Sequence, residues 1–328
     1  MLVLLLAVIA VTAGGLWFYG KPLGMQADTV SFTVATGSSL RTAAQSIESA
    51  GVELPAWQLA WLGRLLGRST QIKAGSYEIQ RGLTAMGLLD VLTRGDVSRT
   101  EVVLVEGRTF RQFRQLLNSH PDLRHDTFSL TDAEILLKLE AKESHPEGLF
   151  FPDTYLMDKG GSDLDVLRRA YRAMLRHLDE TWAARDPQLA LQSPYELLIL
   201  ASIVEKETGT PADRPLVASV FANRLRIKMP LQTDPTVIYG LGERFDGNLR
   251  KIDLLTDTPW NTYTRNGLPP TPIAMPGLAA LLATSRPPPS DFLYFVARGD
   301  GSSHFSGKLD DHNRAVNRYQ RKGSQEAR

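Results

Sequence analysis

Cysteine is absent from the 328 residues. Disulfides, thiolate zinc sites, iron–sulfur clusters and cysteine nucleophiles are thereby excluded. Charge imbalance is absent too: 37 Lys and Arg stand against 36 Asp and Glu, a formal net charge of +1. Bulk charge offers no argument for a nucleic-acid partner. The histidines His120, His125, His145, His177, His304 and His312 are scattered, and none belongs to an H-E-x-x-H pair, so no metal site is expected. Gly240 and Gly242 lack a third glycine at position 245, so no dinucleotide site is expected either. No lysine stands in a recognisable Schiff-base context, and no cofactor is called for.

What is present begins with Leu2 to Tyr19, a run without a single charge. About 18 apolar residues can just span a bilayer as a helix. Trp17, Phe18 and Tyr19 sit at one end, where an aromatic belt belongs. A cleaved signal peptide, the rival reading, wants a basic leader that is missing here. The expectation is a transmembrane anchor over 1–20 and a linker over 21–29. Lys21 follows the run and no Lys or Arg precedes it, so charge says little about orientation.

Val30 to Val34 alternates like a strand, helical patterns follow around Leu40–Ile47 and Trp57–Leu66, and Lys73 to Ile79 reads as a returning strand. A further helix is expected over Leu83–Leu92, ending near Gly95. The order strand, two helices, strand resembles a LysM-like glycan-binding subdomain, over 30–99. Thr100 to Val105 is a strong strand pattern, and Phe110, Phe113, Leu116 and Leu117 share one helical face. Pro121 to Ser144 reads as helical in part. Glu147 to Tyr155 is an aromatic, Pro-containing loop with two acids, read as a packed connection with a cleft wall as the alternative. Asp163 to Arg185 is a long amphipathic helix, and Arg214 to Lys228 another, with Asn223 and Arg224 near its end. Phe292 to Ala297 and His304 to Ser306 form a hairpin pattern around Gly299–Ser303, and a last helix is expected from His312. The tail over 323–328 should fray.

The stretch Tyr195 to Gly209 is the centre of the chain. Ser193 and Pro194 make a helix start, and Thr208, Gly209 and Pro211 a stop. Leu197 to Val204 is apolar around nearly the whole circumference, as in a buried helix. Yet the last turn carries Glu205, Lys206 and Glu207. A carboxylate there faces the negative end of the helix dipole, and both that field and burial raise a carboxyl pKa. Two residues along a helix turn by roughly 200°, so the two acids face different surroundings. Periodicity alone does not choose between them.

Long motifs now carry a resemblance. Leu200–Thr208, Val217–Leu225, Leu231–Gly240, Asn261–Tyr263 with Gly267–Pro270, Phe292–Val296, and His304, Phe305, His312 and Asn313 resemble the endolytic murein transglycosylase family, also called YceG-like. Trp260 departs from the family's usual Tyr before Asn-Thr-Tyr, and no basic residue precedes the apolar run. The resemblance implies an α+β protein: a transmembrane helix, a LysM-like subdomain, then a mixed α/β catalytic domain over 100–322 with a buried central helix. It implies an inner-membrane location with the bulk in the periplasm, peptidoglycan glycan strands as substrate, and peptidoglycan synthases as possible partners. The reaction implied is lytic cleavage from N-acetylmuramic acid to N-acetylglucosamine, leaving 1,6-anhydro ends and terminating strand elongation. It places the catalytic acid on Glu207. Glu205 is then expected to support it, paired with a cation such as Arg224. Gln232, Thr233, Asp234, Asn261 and Tyr263 are the candidate substrate contacts, with capping of the following helix by Asp234 or Thr233 as the alternative. His304 and His312 are weaker candidates for the cleft. Two other readings stand beside this one: a non-catalytic peptidoglycan-binding scaffold, and a pyridoxal-phosphate-dependent aminodeoxychorismate lyase, which the missing Schiff-base lysine and the apolar run disfavour.

Overall fold

The computed structural model describes residues 19–321. The apolar run before Tyr19 and the tail after Arg321 lie outside the described residues, and with them the expected anchor and frayed end. Among the described residues no helix is long and apolar enough to cross a membrane.

The chain forms two compact units. The first runs to Glu101 and includes Pro121–Arg124 and Leu156–Ser162. Its strands β1 (Thr29–Val34) and β2 (Gly75–Gln80) pair antiparallel, with Phe32 opposite Tyr77. Between them come α1 (Leu40–Ser49) and α2 (Ala56–Leu65), and α3 (Ala85–Arg94) follows. Val30, Phe32 and Val34 alternate inward from β1 and meet Ala43, Ala44 and Ile47 of α1 in one apolar cluster. Ser39 caps α1 and Thr84 caps α3, each accepting a backbone N–H through its hydroxyl. Gly95 closes α3 in the left-handed conformation, φ 75°. The apolar residues of α2 divide: Leu59 and Leu62 are buried, whereas Trp57, Trp61 and Leu65 are exposed.

β3 (Arg99–Val103) pairs with β5 (Thr154–Asp158). In the second unit, α4 (Phe110–Ser119) and α5 (Asp132–Lys138) both begin with capping boxes, built from Thr109 with Gln112 and from Thr131 with Glu134. The helical part of Pro121–Ser144 is therefore α5 alone; β4 (Leu123–Arg124) precedes it and pairs in parallel with β6 (Gly161–Ser162).

The rest of the second unit is largely helical: α6 (Asp163–Ala183), α7 (Pro194–Glu207), α8 (Arg214–Arg226), α9 (Asp234–Leu241), α10 (Lys251–Leu255) and α11 (Leu278–Ser285). Helix α7 sits at the centre and packs against α6, α8, α9 and α11. The hairpin of β7 (Tyr294–Ala297) and β8 (Ser303–Ser306) pairs Phe295 with Phe305. The last helix, α12 (Leu309–Val316), starts earlier than expected from His312 and continues as a π-helical turn over Asn317–Arg321.

Candidate active site

Helix α7 carries the acids inward. The Ser193 hydroxyl accepts the Glu196 N–H at 3.2 Å, and Pro194 occupies a first-turn position whose N–H would have no helical partner. Every residue from Leu197 to Val204 is buried. The Ser202 hydroxyl donates to the Ile199 carbonyl at 2.7 Å and accepts the Ile273 N–H at 3.0 Å, so the one polar residue of that stretch is satisfied. At the far end the Thr208 hydroxyl donates to the Val204 carbonyl at 2.6 Å and closes the helix.

Glu205 and Glu207 diverge, as their spacing requires. Glu205 accepts the Gly277 N–H at 3.1 Å, and its nearest cation is Arg214 at 3.9 Å. Neighbouring Lys206 donates to the Gly107 carbonyl at 3.2 Å. Burial raises the Glu205 carboxyl, and the negative charge of Glu106 adds to the effect, while Arg214 and Lys206 oppose it. Glu205 thus fastens the end of α7 to the turn before α11. This corrects the expected pairing with Arg224, which lies on the Glu207 side.

Glu207 meets the loop that leads into α9. The Thr233 hydroxyl donates to Glu207 Oε1 in a short hydrogen bond. Thr233 is itself held: its N–H donates to the Thr262 hydroxyl at 3.1 Å, and its carbonyl accepts the Thr236 hydroxyl at 2.7 Å. The Thr236 and Thr262 hydroxyls are 2.9 Å apart. Gln232 takes the left-handed conformation at φ 49°, its N–H donating to the Thr262 carbonyl at 3.1 Å. That kink turns the chain sharply just ahead of Thr233, and the Gln232 side chain stays exposed.

The expected cap of α9 takes another form. Thr233 occupies the cap position, but its hydroxyl serves Glu207 and makes no capping bond. Asp234 is the first helical residue, exposed, and accepts the Tyr263 hydroxyl at 2.6 Å. Burial, together with the charges of Asp234 and Glu207, raises the Tyr263 phenol far above its ordinary value, so it remains a hydrogen-bond donor.

Asn261 does not join this group as a ligand contact. It is fully buried. Its Nδ2 donates to the carbonyls of Thr256 at 2.7 Å, Leu254 at 3.1 Å and Asp253 at 3.4 Å, and its Oδ1 accepts the Tyr263 N–H at 2.9 Å. The carboxamide closes the end of α10 and fixes the backbone that presents Tyr263.

Arg224 is buried on α8. Its Nε donates to the Leu293 carbonyl and one Nη to the Leu231 carbonyl, each at 2.7 Å, and its guanidinium lies 5.3 Å from the Tyr294 ring centre. It binds the Glu207 loop to the start of the hairpin. His312 stacks on Tyr294 at 5.2 Å, the ring that the Arg224 guanidinium also meets; His304 packs against Tyr319.

Burial is the main cause raising the Glu207 carboxyl. The charge of Asp234 pushes the same way, while the Thr233 hydrogen bond and the Arg224 charge oppose it. A carboxyl raised by burial at the end of a helix, with one hydroxyl partner, is of the kind that serves as a general acid.

Glu147, one of the two acids in the loop read as a packed connection, is buried as well. Glu147 accepts the Phe110 N–H at 2.9 Å and the Tyr239 hydroxyl at 3.1 Å. Burial pushes its carboxyl up from the ordinary 4.5 to about 7. Its only visible signal was an acid heading the apolar Leu149-Phe150-Phe151 without a basic residue beside it. Tyr239 lies six positions from the cap residue Thr233, about 9 Å at the helical rise, so the two ends of this segment reach Glu207 and Glu147.

A family model described as the YceG-like family matches residues 32–318. The chain belongs to the YceG-like family. It is 31% identical over 328 residues to a Bacillus subtilis protein named endolytic murein transglycosylase, covering 93% of this chain and 90% of that one. A Streptococcus pneumoniae protein of the same name is 29% identical over 336 residues; the match takes in 88% of this chain but 58% of the longer relative. The crystal structure of a YceG-like protein from Listeria monocytogenes superposes with a TM-score of 0.56 at 29% identity, over 88% of this chain and 98% of that one. Membership of the YceG-like family thus extends through both units.

Proposed function

We propose that the chain is a lytic transglycosylase acting on murein, with Glu207 as its acid and base. Support comes from the relatives named endolytic murein transglycosylase and from one observation above all: a carboxyl at the end of the buried helix α7, raised by burial and bonded to the Thr233 hydroxyl.

Hydrolytic glycosidases generally use two carboxyls, one for the leaving oxygen and one that acts as nucleophile or activates a water. Attack by the C6 hydroxyl of the same N-acetylmuramic acid needs no water. Protonated Glu207 gives its proton to the glycosidic oxygen as the bond from that oxygen to C1 breaks. The C6 oxygen bonds to C1, and the Glu207 carboxylate takes the C6 hydroxyl proton. Atoms balance: one strand becomes two, one ending in 1,6-anhydro-N-acetylmuramic acid, and Glu207 returns to its acid form. Such a group must hold its proton near the working pH, which its burial favours. Gln232, Asp234 and Tyr263 stand beside the acid as sugar contacts, while Thr233, Arg224 and Asn261 position the loop.

The location belongs to the same proposal. Residues 2–19 serve as a single span in the inner membrane, the two units stand in the periplasm, and the β1–α1–α2–β2 unit acts as a LysM-like glycan-binding subdomain. Endolytic cleavage beside the synthases would then terminate growing strands. Purified glycan strands, incubated with the chain and with its Glu207→Gln variant, test the assignment by mass spectrometry. Anhydro ends are expected from the first alone; equal yields from both would sink it.

A further inference from the structure

Helix α2 is apolar on two opposite faces. Leu59, Leu62 and Gly63 face the core of the first unit. Trp57, Trp61 and Leu65 form the other stripe, at 65%, 55% and 66% exposure. Spaced by four, these three residues span about 80° of arc along the full ten-residue helix. The helix contains no acid; Arg64 lies beside the same arc in its last turn, and Arg68 follows just beyond the helix end. Arg68 is paired with Asp90, and Arg64 is exposed. Exposed apolar stripes of this kind mark a partner.

The connectivity of the chain indicates which partner. Tyr19, the last residue of the uncharged run, packs on the core of the same unit. A few residues later the chain is bonded in place. Leu23 N–H donates to the Leu83 carbonyl at 2.7 Å, Gln26 N–H to the Gly51 carbonyl at 3.1 Å, and Glu53 N–H to the Gly24 carbonyl at 2.8 Å. Trp57 follows Glu53, the residue bonded to Gly24, by four residues, at most about 14 Å of chain. The stripe therefore begins a short stretch of chain from a residue bonded to the segment that follows the apolar run.

We propose that α2 lies on the bilayer surface, with Trp57, Trp61 and Leu65 in the headgroup and acyl boundary. This rests on the reading of residues 2–19 as a membrane span. Tryptophan favours that depth, and arginine can lay its stem along apolar surface while its charge reaches the headgroups. The aliphatic Leu65 and the absence of acids on α2 favour lipid over a sugar, whose recognition needs directional polar partners. The short tether makes this contact intramolecular once the span is inserted, so a stripe too small to bind membranes alone suffices. The contact would fix the orientation of the first unit on the membrane.

The lack of cysteine allows a direct test. Leu65→Cys on α2, Ser31→Cys on the outward face of β1 and Ala10→Cys in the apolar run are each labelled with a nitrobenzoxadiazole fluorophore in the full chain. Each is reconstituted into phosphatidylethanolamine–phosphatidylglycerol vesicles with or without brominated acyl chains. Bromine should quench the labels at 65 and 10 about twofold or more and leave the label at 31 unchanged. Quenching at 10 but not at 65 overturns the surface contact and leaves the span standing. No quenching at 10 removes the span and this inference with it. Shielding at 65 without bromine quenching also overturns it: dimers trapped by bismaleimide assign the stripe to a second copy, and shielding only on addition of glycan strands assigns it to sugar stacking.

Discussion

The Thr233 hydroxyl donates to Oε1 of Glu207, joining the end of the buried helix to a loop 26 residues further along the chain. The bond stabilises the ionised carboxyl, against burial and the charge of Asp234. Glu207 is thus tuned by neighbours from one loop that act in opposite directions.

Replacing the acid is the first test. Glu207→Gln keeps the shape and the contact with Thr233 but has no proton to give. Formation of anhydro ends should fall by about 10²–10⁴-fold, the usual contribution of a general acid–base group. Thermal unfolding should show Tm unchanged or slightly raised, because a carboxyl that burial disfavours is gone.

The two tuning residues should move the pH profile in opposite directions. Activity requires protonated Glu207, so the rate falls as pH rises through its pKa. Thr233→Val removes a bond to the ionised form, raises that pKa and carries the alkaline limb of kcat/KM to higher pH. Asp234→Asn removes a repelling charge, lowers the pKa and carries the limb to lower pH. Shifts of the same sign would contradict the arrangement.

Glu147 predicts a pH dependence of stability. Its pKa rises from the ordinary 4.5 to about 7 on folding. Below 4.5 both folded and unfolded chains hold the proton, and this contribution is fully present. Between 4.5 and 7 the unfolded chain releases the proton while the folded one retains it, so stability falls as pH rises. The total loss is on the order of 3 kcal/mol. Glu147→Gln should flatten this part of the denaturation profile measured between pH 4 and 8.

Asn261 separates a clamp from a ligand. Asn261→Ala should lower unfolding free energy by about 1–2 kcal/mol, because the hydrogen bonds of a buried carboxamide to the end of α10 are lost. Urea denaturation reads that loss. An unchanged midpoint with weakened glycan binding would return Asn261 to the substrate contacts.

Much of this was legible in one dimension. Ser193, Pro194 and Thr208 mark the ends of α7 because caps act within a few residues, and the apolar circumference from Leu197 to Val204 requires burial on every side. Helical geometry likewise requires Glu205 and Glu207 to part. The pairings were not legible. Arg214 rather than Arg224 reaches Glu205, since that choice depends on how α8 packs beside α7. Asn261, polar and in a loop, looked like a ligand contact until the end of α10 surrounded it.

By itself the sequence determined most of the longer helices and the hairpins, the buried central helix and the acids at its end, because periodicity and capping are local. Tertiary structure alone decided that Thr233 serves Glu207, that Glu147 is buried against Tyr239, and that the tryptophans of α2 face outward. Those outcomes depend on desolvation and on contacts between segments distant in the chain, and neither is encoded in the spacing of neighbouring residues.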